Sequence, residues 1–269
     1  MRAGYRVAAA AIALGTGIYL INTHQTPGRL PAAECEQAEN VAAVLQSIEQ
    51  GAGIVLVSDR GDDAIPEPWR DAPVSGSAVA ISSGNLCRLA PILAQELEKY
   101  PDGVLRNNMS GIYLLERLEF YGVEYGGTSL GDWVYLTGGT IAQGYDDNYL
   151  RRLIHHEISS LFFRNYAFPV DTWSAVNPEG FSYATSGGQV LRSIAEGERG
   201  GSPALLRQGF LSDYGRSTLE NDFNSYAETA LVAPGELAAL ARAYPRVKRK
   251  LNILREFYRQ VSRGFQFPD

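Results

Sequence analysis

The chain has 269 residues, a formal charge of −6 and a hydrophobic fraction of 45%, which excludes intrinsic disorder and fibrous repeats and fits an ordinary globular protein. Its acidic balance supplies no basic field to hold a phosphate backbone, which argues against nucleic acid as a partner. The basic cluster Arg246, Lys248, Arg249 and Lys250 reads as a solvated helix face.

Two arginines, Arg2 and Arg6, precede the uncharged apolar run 7–21, and a Pro/Gly-containing spacer follows it. The run is shorter than the roughly 20 residues of a membrane span and suits the core of an export signal. Its end, Gly-Ile-Tyr-Leu-Ile, has no clean cleavage site, so the segment reads either as a removed signal peptide or as an uncleaved inner-membrane anchor. Residues 1–30 are therefore expected to be a targeting segment with linker. Residues 31–269 are expected to form one domain outside the cytoplasm, periplasmic or attached to the membrane through residues 7–21. There the only two cysteines, Cys35 and Cys87, either form one disulfide or stand as two unrelated buried thiols.

In chain order, the apolar spacing of Val41, Val44, Leu45 and Ile48 predicts a helix over 36–50, followed by a short buried strand in Gly-Ile-Val-Leu-Val-Ser. A Pro/Asp/Gly-rich loop runs from Asp59 to about Pro73, and a second helix is expected over 86–100. From Gly111 the period changes to that of strands with Gly-rich turns: Ile112-Tyr-Leu-Leu, Leu118-Glu-Phe-Tyr and Trp133-Val-Tyr-Leu. Helices are predicted over 148–166, 218–231, 234–244 and 245–261. Helices, a small mainly antiparallel sheet, then helices again define an α+β class.

Two strings in the sheet region imitate catalytic motifs. Gly127-Thr-Ser129-Leu-Gly131 matches the serine-hydrolase elbow, which needs a helix after the serine. Here a strand follows instead. Thr137-Gly-Gly-Thr140 resembles an asparaginase string but lies mid-chain without its partner string. Both read as turns.

The informative segment is Leu150-Arg-Arg-Leu-Ile-His155-His156-Glu157-Ile-Ser-Ser160. On a helix, Leu150, Ile154, Ile158 and Leu161 share one face and His156 and Ser160 the opposite one. Glu157 lies about 100° round from His156. This is the layout of an H-E-x-x-H zinc helix, with Ser160 in place of the second histidine. His155 is poorly directed to replace that ligand, since adjacent helical residues diverge by about 100°. Further on, the predicted helix Thr218–Leu231 carries Asp222 and Glu228; Ser217-x-x-Glu220 ahead of them reads as a capping box.

Taken together, the β-region with Gly-Gly-Thr, the His-Glu helix, the string Asn177-Pro-x-Gly-Phe-x-Tyr183, the Asn-Asp-Phe…Ala-Glu helix and the terminal Tyr-Pro…Lys helix resemble the zincin-type metallopeptidases, nearest to exported bacterial zinc peptidases and the lethal-factor-like branch. The resemblance spans roughly residues 85–262, by motif order. It implies a zincin-like domain holding Zn²⁺ through His156 and either Asp222 or Glu228, with Glu157 as the catalytic base. It also implies peptide-bond hydrolysis, with an extended polypeptide substrate held along an edge strand, Trp133 to Thr137. Tyr183 and Tyr226 are candidate oxyanion donors, but each reads better as a core or rim aromatic. Ser160 opens an alternative: a catalytically inactive zincin-like envelope protein that binds a peptide or protein partner.

Overall fold

A computed structural model of the protein describes residues 38–183 and 201–267. Residues 1–30 and Cys35 lie outside the described residues, so the targeting segment and the expected Cys35 pairing do too; Cys87 lies on α3 (Ser83–Leu97). No helix among the described residues is long and apolar enough to cross a membrane.

The helix α1 (Ala38–Ala52) leads through Gly53 into strand β1 (Val55–Val57). Short elements follow: α2 (Glu67–Arg70) and β2 (Ser77–Ala80). After α3 and α4 (Val104–Asn108), β3 (Gly111–Phe120) is one ten-residue strand where the sequence suggests two. It stays continuous because its first half pairs with β1 and its second half with β2 and β4 (Val123–Glu124). Next come β5 (Gly127–Leu130) and β6 (Trp133–Thr137), then α5 (Asp147–Asn165) and α6 (Val170–Ser174). The described part ends with α7 (Pro203–Gln208), α8 (Leu219–Val232), α9 (Pro234–Ala243) and α10 (Pro245–Val261).

The six strands form a mixed sheet with the order β1-β3-β6-β5, to which β2 and β4 add on β3. The coarse expectation of helices packed with a small sheet is met, but the sheet is not mainly antiparallel. Strands β1, β3 and β6 run parallel, because α3 and the intervening chain carry β1 over to β3 in the same direction. The expected edge strand is also displaced. Trp133–Thr137 lies inside the sheet and β5 forms its end. Ser129 sits within β5, and the chain turns directly into β6, so the serine-elbow string is a hairpin.

Alternation along β3 and β6, with a shift of face in β3 at the bulge opposite Val79 and Ala80, separates two cores. Ile112, Leu114, Val134 and Leu136 face the helices in one cluster that runs from Ile48 to Phe265. Leu115, Leu118, Phe120 and Tyr135 face the other way, against Ile65 and Trp69. Gly111 is required between them: a Cβ there would lie 2.3 Å from the Val55 carbonyl oxygen and 2.6 Å from the Trp133 ring.

The helix α5 is capped by Asp146, whose side chain accepts from Tyr149 N, and is enclosed on all sides from Leu153 to Phe162. Each turn therefore meets a different element. His155 meets α3, where its Nε2 lies 2.6 Å from Glu96 Oε2 and its Nδ1 2.7 Å from the hydroxyl of Tyr100, just beyond the helix. Ser159 meets Tyr258 of α10 at 2.8 Å. Glu96 is buried and also pairs with Lys99 and Arg151. Burial opposes its charge, but the hydrogen bonds from His155, Lys99 and Arg151 outweigh that and bring its pKa down to about 2. Burial keeps His155 below its ordinary value, so it is neutral, donating from Nε2 to Glu96 and accepting at Nδ1 from Tyr100.

Removing Glu96 leaves the buried His155 imidazole without its acceptor and takes the carboxylate from the half-buried Arg151. Glu96→Ala should cost about 3–5 kcal/mol of unfolding free energy in denaturant titrations at neutral pH. Because the folded pKa lies below the ordinary 4.5, the wild-type contribution is full above that value and fades as pH falls towards 2. The difference between wild type and variant should therefore shrink in the same window.

Candidate functional site

The helices α5 and α8 run antiparallel, and both carry polar residues spaced by four. On α5 these are Arg152, His156, Ser160 and Arg164; on α8 they are Glu228, Asn224 and Glu220. Four-residue spacing puts each set on one face, and the two stripes meet in order. Arg152 lies 3.8 Å from Glu228, and His156 Nδ1 lies 3.0 Å from Glu228 Oε2. Asn224 Nδ2 donates to Ser160 Oγ at 2.8 Å. Arg164 lies 3.8 Å from Glu220 and donates to Ser129 Oγ on β5 at 3.0 Å.

His156, Glu157, Ser160 and Glu228 are thus brought together, as the sequence suggests. They are not presented to solvent, however: His156 is 1% exposed and Glu157 0%. Of the two acidic candidates, Asp222 and Glu228, the structure places Glu228 beside His156. Asp222 turns to other partners, accepting at Oδ2 from Lys250, Trp173 and Tyr183. Lys250, read from sequence as part of a solvated face, is fully buried. Tyr226 is a core aromatic whose hydroxyl donates to the Gly209 carbonyl.

Sequence reasoning missed Glu220 and Asn224. The helix cap is Thr218, whose side chain accepts from Asn221 N, rather than Ser217. This leaves Glu220 free to reach the α5 stripe, where it lies 3.8 Å from Arg164. The available signal was the spacing 220, 224, 228 opposite 152, 156, 160, 164.

Glu157 is the exceptional member. Its side chain lies against β5, where a Cβ on Gly127 would stand 2.9 Å from Glu157 Cγ. Neither of its carboxyl oxygens has a hydrogen-bond partner, and His156 Nε2 and Asn224 Oδ1 also lack one. Burial, aided by the carboxylates of Glu220 and Glu228, pushes the Glu157 pKa up to about 7 against the pull of His156 and Arg164. Burial works against charge on His156 too, but its hydrogen bond to Glu228 and the surrounding carboxylates raise it above its ordinary value.

These residues do not fit a zinc centre. A metal on His156 needs further donors one turn along α5 and on the facing helix. Those places hold a hydroxyl and a carboxamide, Ser160 and Asn224, which bond one another. Among the described residues no three His, Cys, Asp or Glu side chains converge as a metal-binding group. No family model, curated protein or solved structure matches the chain.

The orphaned carboxyl makes a direct prediction. A folded-state pKa raised from 4.5 to about 7 means that Glu157 contributes nothing adverse below 4.5 and an increasing penalty as pH rises to 7. Glu157→Gln removes the charge but keeps the shape. It should leave stability unchanged near pH 4.5 and raise it by up to about 3 kcal/mol at pH 8, by denaturant titration.

Proposed function

We propose that the chain is a zincin-like protein whose metal centre is replaced by a hydrogen-bonded helix interface, and that it acts outside the cytoplasm by binding a polypeptide partner. The observation that carries this reading is the Asn224–Ser160 hydrogen bond, at 2.8 Å, in the place where second and third metal donors would stand. The zincin-like part is supported by a His-Glu helix lying beside an edge strand, with a carboxylate from a later antiparallel helix on the histidine. The extracytoplasmic setting rests on the apolar run 7–21 that follows two arginines.

Peptide binding is supported by the edge of the sheet. Thr137 N donates to the Gly126 carbonyl, and Gly127 pairs in register with Leu136. Bonded and non-bonded pairs alternate in an antiparallel ladder. Gly127 and Ser129 therefore direct their N–H and C=O groups away from β6; Gly127 is buried, and at the half-buried Ser129 an extended segment can add as a further strand. A second reading, a zinc-dependent peptidase with Glu157 as base, is favoured by the unpartnered His156 Nε2 and Glu157 oxygens.

Zinc titration separates the two. Wild type should bind no stoichiometric zinc in a micromolar calorimetric titration, whereas Ser160→His combined with Asn224→Glu should create a three-donor site with His156 and bind one equivalent. One equivalent in wild type, with chelator-sensitive cleavage of a peptide library, would establish the peptidase instead. For the binding surface, Ser129→Pro removes an N–H that β6 does not use. It should abolish retention of extended peptides from an immobilised library while leaving the thermal transition nearly unchanged; retention equal to wild type would refute docking on β5.

A further inference from the structure

A second buried charge pair plays no part in the α5–α8 stripes. Lys250 Nζ on α10 lies 2.5 Å from Asp222 Oδ2 on α8, and neither side chain reaches solvent. The lysine nitrogen is walled by aromatic rings, with centroids at 4.1 Å for Phe210, 5.3 Å for Trp173 and 5.9 Å for Tyr226. Asp222 Oδ2 also accepts from Trp173 Nε1 at 2.8 Å and from the Tyr183 hydroxyl at 2.5 Å, while Oδ1 has no partner. Two donors on one oxygen draw electron density from the carboxyl carbon, and the apolar wall disfavours separated charge.

The contrast with Glu96 is informative. Glu96 has three basic partners, one of them the partly exposed Lys99, and stays ionised. Asp222 has one cation, and that cation is buried. Burial raises the aspartic acid and lowers the lysine, so each is driven towards its neutral form, a carboxylic acid beside a free amine.

We propose that Lys250 Nζ and Asp222 Cγ condense to an intramolecular amide, a covalent cross-link between α8 and α10 formed with loss of one water. An amine at hydrogen-bond distance from a carboxyl oxygen stands about 3–3.5 Å from the carboxyl carbon, the separation of a near-attack arrangement. The step balances within the site. A proton passes from the ammonium to the carboxylate, leaving both groups neutral. The nitrogen lone pair then attacks Cγ and the C–N bond forms. The proton released from nitrogen travels through the Tyr183 hydroxyl, which Asn177 orients at 2.9 Å, to the departing oxygen. The C–O bond breaks and water leaves. No oxidant, cofactor or second substrate is consumed, and two buried charges disappear.

The test is a tryptic digest of the folded, full-length protein, read by mass spectrometry. Uncrosslinked chain is cut after Arg216, Arg242, Arg249 and Lys250, giving peptides 217–242 and 251–255. The amide blocks cleavage after Lys250 and yields one branched species, 217–242 joined to 250–255, one water lighter than the sum of its parts. Lys250→Arg keeps a cation opposite Asp222 without the amine and should restore the unlinked peptide 217–242. If that variant does not fold, the wild-type digest decides alone. Peptides 217–242 and 251–255 recovered separately from wild type would overturn the proposal. So would loss of water confined to 217–242 with Lys250 still cleaved, which marks a cyclised aspartate rather than a cross-link.

Discussion

The enclosure of α5 is the constraint from which the rest of the structure follows. A helix surrounded by a sheet and by other helices cannot leave its polar side chains to water, and an unpaired buried polar group costs more than a typical hydrogen bond returns. The run His155 to Ser160 nonetheless carries five polar residues. Three of them are satisfied and His156 is paired through Nδ1, each by the element its position on the helix faces: Glu96 and Tyr100 for His155, Glu228 for His156 Nδ1, Tyr258 for Ser159 and Asn224 for Ser160. Packing and hydrogen bonding thus fix the rotation of α5 together. The exception, Glu157, is set against the one residue on β5 without a side chain to displace it, Gly127.

Acidic residues of similar burial behave differently because of their company. Glu96 is surrounded by donors and remains a carboxylate; Asp222 shares a closed aromatic space with a single lysine; Glu157 has no hydrogen-bond donor. Ionised groups are tolerated inside a protein when their lone pairs are used, and this chain holds all three conditions within one set of packed helices. The α5–α8 interface is accordingly held by polar complementarity between its two stripes.

Much of the helical framework is legible in the sequence. Pro234 and Pro245 mark the starts of α9 and α10, Asp146 caps α5, and the predicted 148–166 departs from the observed helix by a single residue at each end. Strand order is not legible, since it depends on contacts between distant segments, and Trp133–Thr137 therefore reads as an edge although it lies inside the sheet. The four residues of β2 carry too little pattern to announce themselves. At the site, Asp222 borders the apolar stripe of Leu219, Phe223, Tyr226 and Ala230, where a charge needs a partner. The partner is Lys250, however, and a basic cluster gives no sign in sequence of which member turns inward. Glu220 is hidden by a capping motif offset one residue from the true cap.

The central claim is that the α5–α8 interface is closed by hydrogen bonds between protein groups rather than by a metal. A high-resolution crystal structure of the wild-type protein grown with excess zinc tests it most directly. The account predicts Ser160 Oγ and Asn224 Nδ2 at hydrogen-bond distance, His156 Nδ1 on Glu228, and no metal at His156 Nε2. A tetrahedral zinc on His156 Nε2, with Ser160 and Asn224 drawn apart, would contradict it.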